Sequence, residues 1–417
     1  MSAPDGPVRV QVRGLASSGA GVADLPDGRV VFVHGTAPGD EATVVVEREK
    51  ARWATARLEA VHTPGPDRVE PPCPLFGTCG GCTLQHVAYA EQLRWKGRFV
   101  ADALERIGGV TVDPPEVEPS QDAYHYRNRI TLTLRRLRNG RVVAGFHALD
   151  RAGHVVDMRD ECLLPGPAIL ATWGRLRAVW GAGANRLPDG GRLRLALHAV
   201  GHDAADLLVE GGDPGWRGGG LVEDVDRLRS VWHQPSPDEP AVQVAGDPGG
   251  SPRAFSQVNE AVGDRLRQHV LEQVGTPERV VDAYCGAGAY GRPLAEAGVR
   301  VTGIEVEPQA CARARDGAPS GFSVVEGQVE DHLARVLPAD VVVVNPPRTG
   351  LHDDIPGILL DALPARIVYV SCDPATLARD VKRLAAGYEP GALRSFDLFP
   401  QTAHVETVAV LHARKPA

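Results

Sequence analysis

The chain has 417 residues and a formal net charge of −8, enough length for two or three domains with a substantial core. No apolar run reaches membrane-spanning length, and no basic and apolar leader opens the sequence, so a cytoplasmic protein without membrane contact is expected. The seven cysteines are odd in number and unevenly spread, which argues against a disulfide scaffold and for thiol chemistry or metal binding.

The first region reads as short alternating strands, Val8 to Val12, Val30 to Val33, Ala42 to Val46 and Ala54 to Leu58, with turn signals at Asp27-Gly28 and Pro38-Gly39-Asp40. A small antiparallel barrel over residues 1–63 follows from that pattern. Barrels of this kind often bind RNA, although the fold alone does not establish it.

Pro64-Gly65-Pro66 and Pro71-Pro72 then mark a linker into a cysteine loop. Cys73, Cys79 and Cys82 are spaced C-x5-C-x2-C, with Gly80 and Gly81 permitting a tight fold. Soft sulfur ligands at this spacing select an iron–sulfur cluster or zinc. Cys162 is the natural fourth ligand, since the remaining cysteines lie in the C-terminal region.

Residues 64–250 read as a central α+β domain. Gln92 to Ile107 carries Leu93, Val100, Leu104 and Ile107 at helical spacing. Arg127, Arg129, Arg135, Arg136, Arg138 and Arg141 crowd into fifteen residues around a predicted hairpin turning at Asn139-Gly140. Such a hairpin suits a phosphate backbone, and equally a solvated edge strand. The glycines from Gly211 to Gly220 read as a flexible excursion.

Residues 251–417 alternate strands and helices, the signature of a parallel sheet covered on both faces. Val280 to Tyr284 is a first strand, Cys285-Gly286-Ala287-Gly288 a tight turn, and Val299 to Ile304 a second strand delivering Glu305. That acid lies nineteen positions beyond Gly286, where a carboxylate meets ribose hydroxyls. Gly286-x-Gly288-x-x-Gly291 also satisfies a dinucleotide fingerprint, so a nicotinamide-dependent oxidoreductase is one alternative. Asp282 ahead of the turn and Asn345-Pro346-Pro347 at a later strand end resemble motifs of S-adenosylmethionine-dependent methyltransferases, the better-matched alternative. Cys372 leaves the end of another apolar run, Ile367 to Val370, at Ser371-Cys372-Asp373-Pro374, and Glu406 follows at a third such position, in His404-Val405-Glu406. Nucleophile and acid/base candidates thus recur at strand ends of one domain.

Taken together, Asp282-Ala283-Tyr284-Cys285-Gly286, Asn345-Pro346-Pro347-Arg348-Thr349-Gly350, Ser371-Cys372-Asp373-Pro374, His404-Val405-Glu406 and Phe255-Ser256-Gln257-Val258-Asn259 resemble the signature of the RNA uracil-5-methyltransferase family. The resemblance implies a C-terminal Rossmann-like methyltransferase domain, an N-terminal OB-like barrel of the TRAM type and a central α+β domain between them. It implies Cys372 as nucleophile toward uracil C6 and Glu406 as base. Gln257, Tyr284, Glu305, Gln328 and Asn345 match positions that contact S-adenosyl-L-methionine. The cysteine loop resembles the [4Fe–4S] site of the members acting on bacterial 23S ribosomal RNA, with Cys73, Cys79, Cys82 and Cys162 as ligands. Partners expected on this basis are RNA, 23S rRNA ahead of tRNA, with a monomeric enzyme. Two positions depart from the family pattern: Asn345 stands where Asp is usual, and Ala289 replaces a polar residue. Asn-Pro-Pro also resembles methylases of RNA amino groups, which need neither Cys372 nor Glu406. A non-catalytic RNA-binding protein would need neither residue as well. Cys285 and Cys311 are expected in packing roles.

Overall fold

The computed structural model describes residues 6–247 and 257–414. They divide into two compact units, the first made of residues up to 89, 122–254 and 400–403, the second of 90–121, 255–399 and 404 onward.

In the first unit, strands β1 (Val8–Leu15), β2 (Gly21–Asp24), β3 (Val30–Val33), β4 (Glu41–Glu49) and β5 (Trp53–Thr63) close into a barrel in the order β1-β2-β3-β5-β4. Strict alternation drives the closure. Val8 and Val10 turn inward on either side of exposed Arg9, and meet Ala23, Val31, Val33, Val44 and Ala54 in the barrel interior. The proline-rich linker is pinned rather than loose: buried Asp40 accepts from Gly65 N at 2.8 Å and from Arg68 Nη1 at 2.6 Å.

Helix α1 (Tyr89–Ala103) and the two-residue strand β6 (Val117–Glu118) come next in the chain. Residues 90–121, inside the span read as central, group with the C-terminal sheet, where β6 pairs with its edge. The first unit then resumes with β7 (Arg129–Arg136), β8 (Val142–Gly145), α2 (Pro167–Val179), β9 (Arg192–Val200), β10 (Ala204–Glu210), α3 (Leu221–Asp224), β11 (Leu228–Gln234) and β12 (Val242–Gly246), in a six-stranded sheet ordered β12-β11-β10-β9-β7-β8. Leu132, Leu134, Leu195, Leu197 and Leu207 bury one face of it against Trp173 and Leu176 of α2.

The hairpin β7–β8 turns at Gly140, whose φ of 79° explains the glycine. Arg136, however, is not available to phosphates. Its guanidinium donates to the carbonyls of Gly183, Ala184, Leu187, Pro188 and Gly190 at 2.5–3.3 Å, so it clamps a loop. The expected glycine excursion is likewise held, by Arg186 donating to Gly219 O at 2.9 Å and Gly220 O at 2.6 Å.

The second unit continues with α4 (Glu260–Val274), β13 (Arg279–Ala283), α5 (Gly291–Glu296), β14 (Arg300–Glu305), α6 (Pro308–Arg315), β15 (Phe322–Glu326), α7 (Val329–Val336), β16 (Val341–Val344), α8 (Ile355–Ala362), β17 (Arg366–Ser371), α9 (Pro374–Leu384), β18 (Tyr388–Phe396) and β19 (Glu406–Ala413). The sheet runs β15-β14-β13-β16-β17-β19-β18-β6, with β13 to β17 parallel and β19 antiparallel. Val341 to Val344 are all buried because both faces are covered. One face packs on α4, α5 and α6, the other on α1, α7, α8 and α9. Strand order reverses at β13 and β16, which opens a crevice at the strand ends.

Candidate active site

Every predicted residue of the catalytic set lies at that edge of the sheet, except Gln257, which packs its side chain against Gly263 of α4. Phe255 and Ser256, quoted with it, lie outside the described residues. The glycine turn follows β13. Tyr284 has a φ of 64°, Gly286 56° and Gly288 86°, so the chain reverses sharply beside the crevice. Gly288 and Gly291 are glycines for a second reason: a Cβ on either would lie 2.7 or 2.4 Å from the Phe322 ring.

Glu305 ends β14 beside this turn. Its Oε2 accepts from Gly286 N at 2.9 Å, and its Oε1 from Val306 N at 2.9 Å and Glu307 N at 2.8 Å. Three backbone donors fix the orientation of this carboxylate at the switch point. Asp282 lies beneath, fully buried, with Oδ2 accepting from Gly291 N at 3.0 Å and Oδ1 without a partner. Burial pushes its carboxyl up to about 7, and Glu305 adds to the shift. Tyr284, half-buried, has its phenol raised to about 12 by burial and by Glu330. Gln328 is exposed at the N-terminus of α7, following β15. Asn345 follows β16, its N–H directed at Ala283 O at 3.4 Å.

Cys372 and Glu406 are brought together by strand register. Ser371 of β17 pairs with Thr407 of β19, so the next step sets Cys372 opposite Glu406. Cys372 precedes α9, whose first amides are capped by Asp373 Oδ1 accepting from Ala375 N at 2.8 Å and Thr376 N at 2.9 Å. Burial raises the Cys372 thiol, Glu406 raises it further, and Arg348 opposes both. Glu406 keeps some accessible surface, yet burial dominates and pushes its carboxyl up to about 7 against the pull of Arg348. A thiol, a carboxyl raised to near neutrality and one guanidinium acting on both therefore share this strand end.

Three contributors escaped the sequence reading as individual residues. Arg348 was visible only as part of its motif. Tyr290 is buried, and both Asp282 and Glu406 act on its phenol in addition to burial. Asp380 of α9, fully buried, accepts from Leu351 N and Tyr369 Oη at 2.8 Å, from Arg379 Nε at 2.9 Å and from Arg383 Nη1 at 3.1 Å. It ties the loop carrying Asn345 and Arg348 to the helix that follows Cys372. Gly350 makes this possible, since its φ is 78° and a Cβ would fall 2.5 Å from Asp380 Oδ2.

In the first unit, Cys73, Cys79, Cys82 and Cys162 line one pocket, walled by Leu75, Phe76, Phe146, Met158 and Leu164. All four are free thiols. Burial raises Cys82 to about 12 and Cys162 to about 11, with neighbouring cysteines adding to each. The donor set fits a soft metal group in an apolar setting. Among the described residues no three His, Cys, Asp or Glu side chains stand at metal-holding geometry, so the structure shows convergence of the thiols and not a formed centre. Cys285 and Cys311 are buried in the second unit, Cys311 Sγ donating to Glu305 O at 3.3 Å.

A doubly wound sheet with a glycine turn, a carboxylate at the end of the second strand and a polar residue after the fourth strand defines an S-adenosylmethionine-dependent methyltransferase. Comparison with known proteins narrows the class. The tRNA (uracil-5-)-methyltransferase family matches residues 332–414 and the TRAM domain residues 7–58. An uncharacterized RNA methyltransferase of Halalkalibacterium halodurans is 33% identical, covering 98% of this chain and 97% of its own length. The 23S rRNA (uracil(1939)-C(5))-methyltransferase RlmD of Thiobacillus denitrificans is 32% identical, with 96% and 98% covered. The crystal structure of Pyrococcus abyssi tRNA (uracil-54, C5)-methyltransferase with S-adenosyl-L-homocysteine superposes with a TM-score of 0.74 at 29% identity, covering 97% of this chain and 99% of that one. The chain belongs to the S-adenosylmethionine-dependent RNA uracil-5-methyltransferase family. That membership sets aside the oxidoreductase, amino-methylase and non-catalytic readings.

Proposed function

We propose that this enzyme forms 5-methyluridine in 23S ribosomal RNA through a covalent adduct between Cys372 and the target base. The observation that carries the reading is the β17–β19 register, which sets Cys372 opposite Glu406 with Arg348 acting on both.

Uracil C5 is too weak a nucleophile to attack a sulfonium methyl unaided. Cys372, having lost its proton to water, adds to C6 and moves electron density onto C5. C5 then takes the methyl group, and the cofactor sulfur keeps the electron pair of the broken bond. Glu406 as carboxylate removes the C5 proton, and the electrons released expel the Cys372 thiolate from C6, restoring the aromatic ring. The uridine must be unpaired or turned out of its stack to enter.

Glu305 receives the ribose hydroxyls, Gln328 lies toward the adenine, and Gln257, Tyr284 and Asn345 complete the cofactor contacts. Asn345 keeps an acceptor carbonyl while lacking the charge of the usual Asp. Cys73, Cys79, Cys82 and Cys162 hold a [4Fe–4S] cluster whose contribution is to tie the cysteine loop to the segment around Cys162.

Ribosomal RNA is favoured by the full-length likeness to RlmD. The likeness to the Pyrococcus abyssi enzyme supports tRNA as a second reading. Mass mapping of 5-methyluridine in both RNAs from a deletion strain, complemented with wild type or Cys372→Ala, decides between them. Loss of the mark from 23S rRNA, restored only by wild type, is expected. Restoration by Cys372→Ala excludes the covalent route, and loss from tRNA alone reassigns the substrate.

A further inference from the structure

The tip of the β4–β5 hairpin carries an aromatic and a set of cations that the chemistry described above does not use. Trp53 is 37% exposed and is the one exposed aromatic among the described residues. A single exposed indole is ordinary on a protein surface, so its meaning rests on what surrounds it. Strand alternation turns it outward: Ala54 and Ala56 fill the barrel while Trp53, Thr55 and Arg57 face away. Phe32 of β3 stands edge-on to it, with ring centroids 6.2 Å apart and planes at 71°. That contact holds the indole from one edge.

The charges around it are sorted. Glu49 pairs with Arg29 at 2.9 Å, and Glu47 with Arg57 at 3.6 Å. Arg48, Lys50 and Arg52 are exposed, and no acidic partner is found for them among the described residues. Arg48 lies across from Thr55 in the register and shares the face of Trp53. Lys50 N donates to Trp53 O at 2.8 Å, closing the turn with Arg52 at its tip. In a chain of net charge −8, three unmatched cations beside one exposed indole form a local positive site with a flat apolar floor.

We infer that this hairpin tip binds an unpaired stretch of the RNA substrate, one base stacking on Trp53 while Arg48, Lys50 and Arg52 meet the flanking phosphates. Stacking accepts any base, because each has a π face, so the site grips single strands without reading sequence. A duplex, its bases already stacked, gains only the phosphate contacts. This inference rests on RNA being the substrate.

The test measures affinity for a fluorescent single-stranded oligoribonucleotide and for its duplex, together with 5-methyluridine formation on a long substrate transcript. Trp53→Ala is expected to weaken single-strand binding roughly tenfold, in line with the loss of one stacked base, and to leave duplex binding unchanged. Trp53→Phe should restore most of the loss. On the transcript KM should rise while kcat holds, since no group touching the target base has changed. The double change Arg48→Glu with Lys50→Glu should weaken both RNAs and flatten the salt dependence, which gives an independent arm should Trp53→Ala unfold the barrel. Unchanged single-strand affinity in both sets of variants, with wild type still forming 5-methyluridine, overturns the site and spares the enzyme assignment. Absence of 5-methyluridine with wild type overturns the underlying substrate reading.

Discussion

Glu305 reaches from the end of β14 to the first glycine of the neighbouring turn, its Oε2 accepting the N–H of Gly286 at 2.9 Å. The carboxylate and the turn therefore hold each other in place ahead of any ligand.

Glu305→Gln keeps an oxygen for Gly286 N but replaces the other acceptor with an NH2 donor. S-adenosylmethionine affinity should fall about tenfold by calorimetry, about 1.4 kcal/mol, with RNA affinity unaltered. Equal cofactor binding would remove Glu305 from the ribose site.

Glu406 titrates near 7, so its basic form grows as pH rises through neutrality. Release of methylated RNA should accelerate over that interval in wild type. Glu406→Gln should lose this pH dependence, slow turnover by about 10²–10⁴-fold, and accumulate a protein–RNA adduct that survives denaturing electrophoresis. Its absence, with turnover intact, argues against Glu406 as the base.

The Asp380 node joins β17, α9 and the Asn345 loop. Asp380→Ala strands Leu351 N and the Tyr369 hydroxyl and removes one acceptor each from Arg379 and Arg383, and should cost about 3 kcal/mol in urea unfolding. Gly350→Ala should perturb the same loop through its φ of 78° and the Cβ contact. A loss under ~0.5 kcal/mol in both variants would show the node to be dispensable.

Asp282 has a folded pKa raised to about 7 from an ordinary value of 3.8. The folded state binds its proton more tightly, so the contribution to stability is complete at low pH and is lost as pH climbs through the folded value. Between pH 5 and 8 wild type should lose about 2 kcal/mol from this group. Asp282→Asn should flatten that decline in thermal unfolding; an identical slope would contradict the buried carboxyl.

Protein purified without oxygen should be brown and hold about four irons per chain, and Cys162→Ser should bleach it. Colourless wild type carrying stoichiometric zinc would keep the ligand set and discard the cluster.

Much of the candidate edge was readable because Glu305, Asn345 and Cys372 each end or follow a largely apolar strand, and strand ends in a parallel sheet share one side, whereas Glu406 opens an antiparallel strand. The barrel strands were visible by alternation, but β2 was missed, being four residues opened by a glycine. Arg136 misled for a physical reason: charge is local in sequence, whereas its acceptors are carbonyls some fifty residues away. Asp380 reads as one more polar residue on an amphipathic helix until the fold closes Leu351 and Tyr369 around it. The pairing of Cys372 with Glu406 depends on an antiparallel strand inserted between two others, an order that no local pattern encodes.

Strand β19 is the last of its sheet in sequence yet lies between β17 and β18. During synthesis, therefore, the methyltransferase sheet stays split, with a gap beside β17, until the segment beginning at Glu406 emerges. Domains tend to fold from the N-terminus as they are made, but here the residue opposite Cys372 and the strand that closes the gap arrive together. A nascent chain thus carries Cys372 with no Glu406 opposite it until its final strand slots in, and a prematurely terminated chain never gains that partner.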